Sequence, residues 1–429
     1  MHNLTIAEIR AGDSVAITEA YIGRIANFNE ELKAFTALDL DNARAAAAES
    51  AIRIRLGEAR PLEGVPFGIK ANIDVEGLAT TAGLAARRDD IATSDAAVVA
   101  LLRNAGAVIL GHLNMHEGAL GATTDNPAYG RTENPHKLGR TPGGSSGGSG
   151  AAVAAGLCAA ALGTDTLGSV RIPAAFNGVY GLKPGTGLIS DDGLVPLARR
   201  LDCIGPLARS IADLAAVMAV IAPLAAERPV TRAATLRAVN EADCEPAVKQ
   251  CFRAAVAALE GLGITVVEAA TLGLDVRAAR LGGYIESSRE AALTFAADRR
   301  AGGISAAFAA VLDFGAEASP DTVAGSLAAM ALAHKLLNSL LETFDVLVTP
   351  TTPQVAFAHG HVPNTQGHFT ALANIAGVPA LSLPAGFDAD GMPVGVQIIG
   401  RRGSEATLLA LGARLDAALG GYRAPAGFR

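Results

Sequence analysis

The sequence contains no tryptophan, and aromatic residues make up only 4% of its 429 residues. Cysteine is also scarce: four are present, without the paired spacing of a metal site or a disulfide framework, at Cys158, Cys203, Cys244 and Cys251. We therefore expect buried, reduced thiols and a cytoplasmic protein. The start lacks a basic segment followed by an apolar run, so we expect no signal peptide. No apolar run is long enough to cross a bilayer, not even the alanine-rich one at 151–163.

Charged residues are few as well, at 18%, and the formal net charge is −7. This acidic balance offers no basis for binding nucleic acid or an anionic membrane, so we expect neither as a partner. Half of the residues are apolar, which is enough for a large core. Neither an internal repeat nor a polar linker divides the chain, and we predict a single domain over residues 1–429.

Apolar spacing predicts helices that alternate with short strands. Helical spacing is clear at 14–29 and 41–57, and another helix is predicted to begin after Ser210, with Asp213 at the capping-box position. Strands are predicted within GVPFGIKANIDV (64–75), VYGLKP (179–184), ITVVEAA (264–270), DVLVTP (345–350), PALSLPAG (379–386) and MPVGVQIIG (392–400). The alternation indicates an α/β fold with a large mixed, twisted sheet sandwiched between helices. The region 225–340 has few turn signals, and we predict helices with loop insertions there.

A single lysine, Lys70, interrupts the apolar stretch at 64–75. A lysine removed from water is shifted towards its neutral form, which can accept a proton. The alternative is a lysine at a strand end whose amine reaches solvent along its apolar stem. This segment alone leaves both interpretations open.

The glycine- and serine-rich run GGSSGGSG (143–150) contains two overlapping G-x-S-x-G matches. A nucleophile elbow of the α/β-hydrolase type needs a strand directly before it, whereas RTENPHKLGRTP (131–142) carries charge, proline and glycine there. Neither a phosphate-binding GK[ST] nor a dinucleotide fingerprint is present in the run. A flexible loop and a serine held by an unusual backbone both remain possible.

A third segment, GTDTLGSVRIP (163–173), places Ser169 on a glycine-containing loop after a predicted strand. The backbone N–H groups of Thr166, Leu167 and Gly168 could converge on one point and form an oxyanion hole. A structural turn held by an ion pair between Asp165 and Arg171 would explain the same residues.

Together the three segments resemble the amidase signature family. The block at 143–184 matches that family's defining motif nearly residue for residue. The resemblance extends to PLEGVPFGIKANIDVEGLATTAG (61–83), AVVALLRNAGAVILGHLNMHE (97–117), GPLARSIADLA (205–215) and GVPALSLPAGFDADGMPVGVQIIG (377–400). It covers about three quarters of the chain and implies one amidase signature domain, with a catalytic core at about 60–220 and 340–420. Variable helices at 225–340 would then shape the substrate pocket.

The resemblance implies a Ser–cis-Ser–Lys triad. Ser169 would be the nucleophile, Ser145 the bridging serine on a cis peptide bond after Gly144, and Lys70 the general base. The oxyanion hole would consist of the backbone N–H groups of Thr166, Leu167, Gly168 and Ser169. Ser146 would hydrogen-bond Lys70, and Asp165 and Arg171 would support the loop.

The implied activity is an amidohydrolase that cleaves the C–N bond of a small carboxamide through an acyl-enzyme and releases ammonia or an amine. It needs no cofactor. His112 and His116 are four residues apart, and three histidines lie at 359–368, but no third ligand motif accompanies either group. We therefore expect no metal site, and a Ser–His–Asp triad is disfavoured because the matched motifs contain no histidine.

Substrate class is predicted from segments that look like those of allophanate- and biuret-type hydrolases, RIPAAFNGVYGLKP (171–184) and GLVPLARRLDCIGPLARS (193–210). Leu167 stands where the family usually has glycine, and little chain lies between TPTTP and FTALANIAG. Both departures favour a small substrate, and the two segments favour a polar or urea-derived amide. Because such substrates carry a carboxylate, a basic residue should line the pocket. The candidates for the substrate pocket are Gly121, Thr124, Tyr284, Arg289 and Arg299.

Other functions stay open. One is the glutaminase-type amidase subunit of a tRNA-dependent amidotransferase, although that subunit usually has a longer C-terminal region. Another is an aryl- or indoleacetamide-type amidase. A scaffold without activity is disfavoured because all three triad residues are present. The resemblance is compatible with a homodimer, and a small accessory subunit is not excluded.

Overall fold

The computed structural model of the protein describes residues 1–428. Its strands are β1 (Phe35–Leu38), β2 (Pro66–Lys70), β3 (Val108–Leu113), β4 (Asp125–Asn126), β5 (Gly130–Arg131), β6 (Ala160–Thr164), β7 (Tyr180–Lys183), β8 (Ile204–Ala208), β9 (Arg232–Leu236), β10 (Thr265–Ala269), β11 (Val346–Pro350), β12 (Ala380–Phe387) and β13 (Pro393–Gly400). All but β4 and β5 belong to one large sheet.

Fifteen α-helices are present in residues 1–428. They are α1 (Ile6–Arg10), α2 (Ser14–Leu32), α3 (Leu40–Leu56), α4 (Ala97–Asn104), α5 (Gly147–Ala154), α6 (Arg171–Asn177), α7 (Ile211–Ile221), α8 (Arg237–Asn240), α9 (Pro246–Gly261), α10 (Val276–Thr294), α11 (Ala296–Arg300), α12 (Ala306–Ala316), α13 (Pro320–Thr343), α14 (Ala371–Ala376) and α15 (Glu405–Leu419). None of them is both long and apolar enough to cross a membrane.

The large sheet has eleven strands in the order β1-β3-β2-β6-β8-β7-β12-β13-β11-β9-β10. β3, β2 and β6 run parallel to one another, as do β11, β9 and β10, whereas the strands between these two groups pair antiparallel. Helices flank this mixed sheet, which confirms the predicted α/β fold.

The region 225–340 is mostly helical, as predicted, but it also supplies β9, a strand that the sequence pattern does not reveal. Two of its five residues are the buried alanines Ala233 and Ala234. Alanine favours helices, so its pattern hides a buried strand. The β9 strand inserts between β11 and β10 and extends the sheet.

The helix after Ser210 begins as predicted, because the Ser210 hydroxyl accepts the Asp213 N–H at 3.0 Å. The predicted capping box is wrong in its second half. The Asp213 carboxylate accepts instead from the N–H of Ile6, at 2.8 Å, and so attaches the first helix to the core. Tertiary contact has displaced the local contact that the sequence pattern suggests.

The four cysteines are free thiols. Three are buried as expected, and burial raises the pKa of the Cys158 thiol to about 12. Cys244 is only half-buried, so the expectation is wrong for that residue.

The sheet brings two of the sequence motifs to one edge. β2 and β6 are parallel neighbours, with Ile69 opposite Leu162, and each strand ends within two residues of that pair. Lys70 is the last residue of β2, and Thr164 is the last residue of β6. Because the carboxyl ends of parallel strands meet at the same edge of a sheet, the loop that carries Ser169 begins beside Lys70.

Candidate active site

Lys70 is fully buried at the end of β2. Its Nζ lies 2.8 Å from Ser145 Oγ and 2.6 Å from Thr164 Oγ1. Burial lowers the pKa of Lys70 to about 7, although the nearby carboxylates of Asp202 and Asp165 act in the opposite direction. A substantial fraction of the amine is therefore neutral near pH 7 and able to accept a proton.

The loop that carries Ser145 contains a cis peptide bond between Gly144 and Ser145. Ser145 is buried, with its hydroxyl directed at Lys70. The neighbouring Ser146 does not bond Lys70, and that prediction is wrong. Its hydroxyl donates to the backbone oxygen of Thr164 at 3.1 Å and accepts from the Thr164 N–H at 3.2 Å. Ser146 therefore joins the serine loop to the end of β6, and the side chain that holds Lys70 is that of Thr164.

The glycines of the run 143–150 are needed for close packing rather than for flexibility. Every residue of the run is buried. A Cβ added to Gly148 would lie 2.4 Å from Asn114 O, and one added to Gly144 would lie 2.8 Å from Thr123 N. Both distances are shorter than a side-chain atom tolerates, so the backbone itself packs against neighbouring segments. The flexible-loop interpretation is wrong.

Ser169 lies two residues before α6 and is partly exposed. Its backbone oxygen accepts from the Ser146 N–H at 3.3 Å, which brings the two serine loops into contact. The preceding Gly168 has φ +130°, a conformation that favours glycine. Its N–H donates to Asp165 Oδ1 at 2.8 Å and is therefore engaged within the loop. Gly168 is thus a wrong choice as an oxyanion donor, and the remaining candidates are the N–H groups of Thr166, Leu167 and Ser169.

Asp165 and Arg171 form a fully buried ion pair, with both side chains 0% exposed and a 2.9 Å contact. The Arg171 guanidinium also donates to Gln397 Oε1 at 2.8 Å and to Asn374 Oδ1 at 2.6 Å. Burial alone would raise the pKa of Asp165, but Arg171 overcomes this effect and holds it at about 2. The pair fixes the loop from 165 to 171 to the C-terminal part of the sheet.

Asp202 is a half-buried carboxylate that contacts the Ser169 loop. It accepts the Thr166 hydroxyl at 2.6 Å and the N–H groups of Leu197 and Ala198 at 2.8 and 2.9 Å. Burial raises its pKa to about 6 despite these bonds. The sequence offered no signal for this residue apart from its place in the 193–210 segment.

A cavity of about 340 Å³ opens beside Ser169. Its wall includes Thr166 and Leu167 of the Ser169 loop and Leu197 of the segment held by Asp202. Two of the predicted pocket residues, Gly121 and Tyr284, line it. The remaining lining residues are His116, Ala119, Leu120, Ala122, Thr123, Ile172, Arg280, Ser287, Val311, Val362, Pro363, Asn364, Gln366 and Gly367.

Three of the predicted pocket residues lie elsewhere. The Thr124 hydroxyl donates to Gly143 O at 2.8 Å and accepts from the Gly147 N–H at 3.0 Å, so Thr124 supports the serine loop. Arg289 is exposed, 3.6 Å from Glu286, and Arg299 forms an exposed ion pair with Asp313. These three assignments are wrong.

The basic residue of the cavity is Arg280, which the sequence analysis missed. The angular position of each arginine on α10 explains why Arg280 lines the cavity and the predicted Arg289 does not. Arg289 follows Tyr284 by five residues and lies about 140° around the helix from it, whereas Arg280 precedes Tyr284 by four and lies only about 40° away. The guanidinium of Arg280 stacks on the Tyr284 ring, 5.1 Å from its centre. Counting residues from Tyr284 along α10 would have identified Arg280 as its neighbour.

The histidine pair in HLNMH has two separate environments. His112 lies within β3, with Nδ1 and Nε2 each 3.1 Å from a backbone oxygen, those of Ala79 and Ile73. His116 lines the cavity, with Nδ1 3.2 Å from Thr123 Oγ1. Burial lowers the pKa of His116 to about 4, so its ring is neutral at pH 7.

Comparisons with known proteins show which family the chain resembles. The Amidase family model matches residues 16–409. A glutamyl-tRNA(Gln) amidotransferase subunit of Roseiflexus sp. (strain RS-1) is 36% identical over 472 aligned positions, which cover 96% of each chain. A solved structure described as a vestigial protein complex that reveals the evolutionary origins of an s-triazine catabolic enzyme has TM-score 0.89 and 30% identity, covering 98% of this chain and 100% of that one. The corresponding amidotransferase subunit from Thermotoga maritima has TM-score 0.83 and 30% identity, covering 99% and 98%.

The fold and its relatives define an enzyme that hydrolyses amide bonds. The chain belongs to the amidase family, which confirms the resemblance found in the motifs. The sequence analysis expected amidotransferase subunits to have a longer C-terminal region than this chain. The alignment spans 96% of the Roseiflexus protein, so this expected difference does not distinguish the two.

Proposed function

We propose that the protein is an amidohydrolase in which Ser169 is the nucleophile, Ser145 the bridging serine and Lys70 the general base. One observation carries this assignment: a buried lysine, with a pKa lowered to about 7, has its Nζ 2.8 Å from Ser145 Oγ. A serine hydroxyl needs a base to become an effective nucleophile. Lys70 supplies that base, and Ser145 extends its reach to the neighbouring loop.

The proton path follows from this order of groups. Neutral Lys70 takes the proton of the Ser145 hydroxyl while Ser145 takes that of Ser169. The Ser169 oxygen attacks the amide carbonyl, and the oxyanion accepts from the free N–H groups among Thr166, Leu167 and Ser169. The relay then runs in reverse to protonate the leaving nitrogen as the C–N bond breaks. Water enters by the same relay and hydrolyses the ester on Ser169.

A small polar or urea-derived amide, of the allophanate or biuret type, is the proposed substrate. The cavity of about 340 Å³ lies at the small end of the usual range for ligand pockets. Leu167 fills part of its wall. The similarity to a structure connected with an s-triazine catabolic enzyme supports a small nitrogen-rich substrate.

The second candidate is the amidase subunit of a glutamyl-tRNA(Gln) amidotransferase. Its support is the set of sequence relatives, which are named as subunits of that amidotransferase at 34–37% identity over nearly their whole length. In this case the same triad would release ammonia inside an assembly with partner subunits. The cytoplasmic location and the homodimer stay predictions in either case.

Ammonia release from a panel of amides tests the proposal. Allophanate, biuret, malonamate, indoleacetamide and glutamine are compared in the wild type and in Ser169→Ala, with the exposed Ser190→Ala as a matched control. We expect release that Ser169→Ala abolishes and Ser190→Ala keeps. Release unchanged in Ser169→Ala contradicts the triad. Hydrolysis of glutamine alone, and only after amidotransferase partner subunits are added, selects the second candidate.

A further inference from the structure

One ring nitrogen of His116 is free to contact a ligand in the cavity. The ring lines the same cavity as Ser169, and its Nδ1 lies 3.2 Å from Thr123 Oγ1. Its Nε2 forms no hydrogen bond with any residue in the described range 1–428. Polar atoms away from bulk solvent are nearly always paired, so a ligand in the cavity can supply the partner of Nε2. The proposed triad and its proton path make no use of this nitrogen.

The neighbours of His116 determine which ring nitrogen carries the proton. The ring is neutral at pH 7 because burial lowers the pKa to about 4, so only one of its two nitrogens is protonated. Thr123 Oγ1 accepts the Asp125 N–H at 3.4 Å, and among the described residues His116 Nδ1 is the one acceptor for the hydroxyl proton. The hydroxyl therefore donates to Nδ1, which leaves the ring proton on Nε2. His116 thus presents an N–H donor to the cavity.

The fold holds this donor beside the proposed triad. The backbone N–H of His116 donates to Ser145 O at 3.0 Å, and the positive charge of Lys70 helps to lower the pKa of His116. A Cβ built on Gly121 would lie 2.2 Å from His116 Nε2, so a glycine at that position leaves room for the ring. His116 and Ser169 line one cavity of about 340 Å³, and a small ligand can therefore contact both side chains.

The surroundings of the donor favour a neutral acceptor. The cavity wall that follows His116 in the sequence, residues 119–122, carries only small or apolar side chains. The Asp125 carboxylate raises the pKa of His116 against the larger effect of burial, so a negative charge already acts on the ring. An anion at Nε2 would lose its hydration and be repelled by Asp125, whereas a carbonyl oxygen is satisfied by a single N–H donor.

We propose that His116 Nε2 donates a hydrogen bond to a second carbonyl oxygen of the substrate and so selects amides with two neighbouring carbonyls. The inference rests on the proposed amidohydrolase function and adds a residue that determines its specificity. One carbonyl of a biuret, an acylurea or a malonamide would lie at Ser169, and the other would accept from His116. Because the bond forms when the substrate binds and persists during attack on the first carbonyl, it should act mainly by lowering KM.

Two amides of equal size test this bond. Malonamide and 3-methylbutanamide have the same carbon chain at the scissile amide, but an isopropyl group in the second replaces the other carboxamide of the first. The wild type should prefer malonamide by about tenfold or more in kcat/KM. His116→Phe keeps an aromatic ring without the donor, and it should raise KM for malonamide roughly 5- to 20-fold while both kinetic constants for 3-methylbutanamide stay within about threefold. His116→Gln offers an amide N–H near the position of Nε2 and should restore part of the preference.

His334→Phe is the matched control, because this histidine is exposed on α13 and lies outside the cavity. It should retain the full preference for malonamide. Equal use of the two amides by the wild type, together with loss of hydrolysis in Ser169→Ala, would overturn the inference while supporting the amidohydrolase. A preference that His116→Phe leaves unchanged would also overturn it.

Nitrogen NMR tests the donor independently of turnover, so that it also applies if the proposed function fails and neither amide is hydrolysed. In Ser169→Ala, the signals of the His116 ring are identified by their loss when His116→Phe is added. The ring should be protonated at Nε2, and malonamide should shift the Nε2–H resonance more than 3-methylbutanamide does. A ring protonated at Nδ1, or equal shifts with both amides, would overturn the inference.

Discussion

The Thr166 hydroxyl donates a 2.6 Å hydrogen bond to Asp202 Oδ1 and so ties the proposed oxyanion loop to the segment at 197–198. The same carboxylate acts on the proposed general base, because its negative charge raises the pKa of Lys70 against the larger effect of burial. Asp202 therefore influences both the shape of the loop and the proton affinity of the base.

Asp202→Asn should separate these two influences. Without the carboxylate, Lys70 loses a charge that favours its ammonium form, so the pKa of Lys70 falls. Because the base works when neutral, the rise of kcat/KM with pH should move to lower pH than in the wild type. We also expect a maximal rate about 3- to 30-fold lower, because the asparagine holds Thr166 less firmly. The measurement is a pH profile of amide hydrolysis.

Thr166→Val is the matched control for Asp202→Asn. It removes the hydrogen bond to Asp202 but keeps the carboxylate, so the rate should fall while the midpoint of the profile stays in place. A midpoint that moves in Thr166→Val and not in Asp202→Asn would contradict the electrostatic role of Asp202.

The wild-type pH profile is itself a prediction about Lys70. The pKa of about 7 implies that kcat/KM rises with a midpoint near pH 7 and levels off above it, because deprotonation creates the active base. Lys70→Arg keeps a cation but cannot lose its proton, and it should lower kcat by at least about 10³-fold across the whole range. Substantial activity in Lys70→Arg would assign the base to another group.

The residues of the proposed triad could be identified from sequence because they lie in three long contiguous motifs. The side-chain contacts around these residues could not be predicted, because they join segments that are distant in sequence. Ser146 follows Ser145 directly, yet only the fold shows that its hydroxyl meets the backbone of Thr164 and not Lys70. Asp202 accepts a hydrogen bond from Thr166, which precedes it by 36 residues in the sequence.

The pocket was harder to predict than the triad for a second reason. One part of its wall, with Arg280, Tyr284 and Ser287, lies in the 225–340 region outside the motifs that resemble the family, so these positions depend on helix phase and packing. Arg280 and Arg289 are equivalent by composition, and only their angular positions on α10 place one inside the cavity and the other in solvent. No sequence pattern identifies Gln366 as a cavity residue, because its position depends on how the segment 362–367 folds.

The ion pair of Asp165 and Arg171 should dominate the stability of the Ser169 loop. Arg171→Met would leave Asp165 buried without its partner, at a cost of about 3–5 kcal/mol in the free energy of unfolding. Denaturant unfolding measures this loss. Arg44→Gln, which breaks an exposed ion pair with Glu19, serves as the control and should leave the unfolding midpoint nearly unchanged.

The same pair predicts how stability depends on acid. The pKa of Asp165 is about 2 in the folded protein, below the ordinary value near 3.9 of an unfolded aspartate. Its contribution to stability is therefore complete above about pH 4 and is lost as the pH falls towards 2. Arg171→Met should be less sensitive to pH than the wild type in this window. If the free energy of unfolding depends on pH equally in both proteins, Arg171 does not lower the pKa of Asp165.

Gly283 packs closely against Leu167, a residue of the cavity wall. A Cβ added to Gly283 would lie 2.6 Å from Leu167 Cδ2, so Gly283→Ala forces the leucine side chain to move. We expect folding to stay intact, because alanine is the better helix former by about 1 kcal/mol and a leucine end can rotate. A leucine displaced into the cavity should raise KM for small amides roughly 3- to 10-fold. Steady-state kinetics measures this change, with Gly325→Ala as the control because nothing lies within 4 Å of its added Cβ.

The double variant Leu167→Ala, Gly283→Ala tests whether the higher KM of Gly283→Ala is caused by displacement of the Leu167 side chain. Removing the leucine side chain frees the space that the new Cβ needs, so KM should return towards the wild-type value. Leu167→Ala alone widens the wall of the cavity beside the oxyanion loop and should improve kcat/KM for amides with longer acyl groups relative to the shortest ones. If the double variant is as impaired as Gly283→Ala, the methyl group acts by shifting α10 and with it Arg280 and Tyr284.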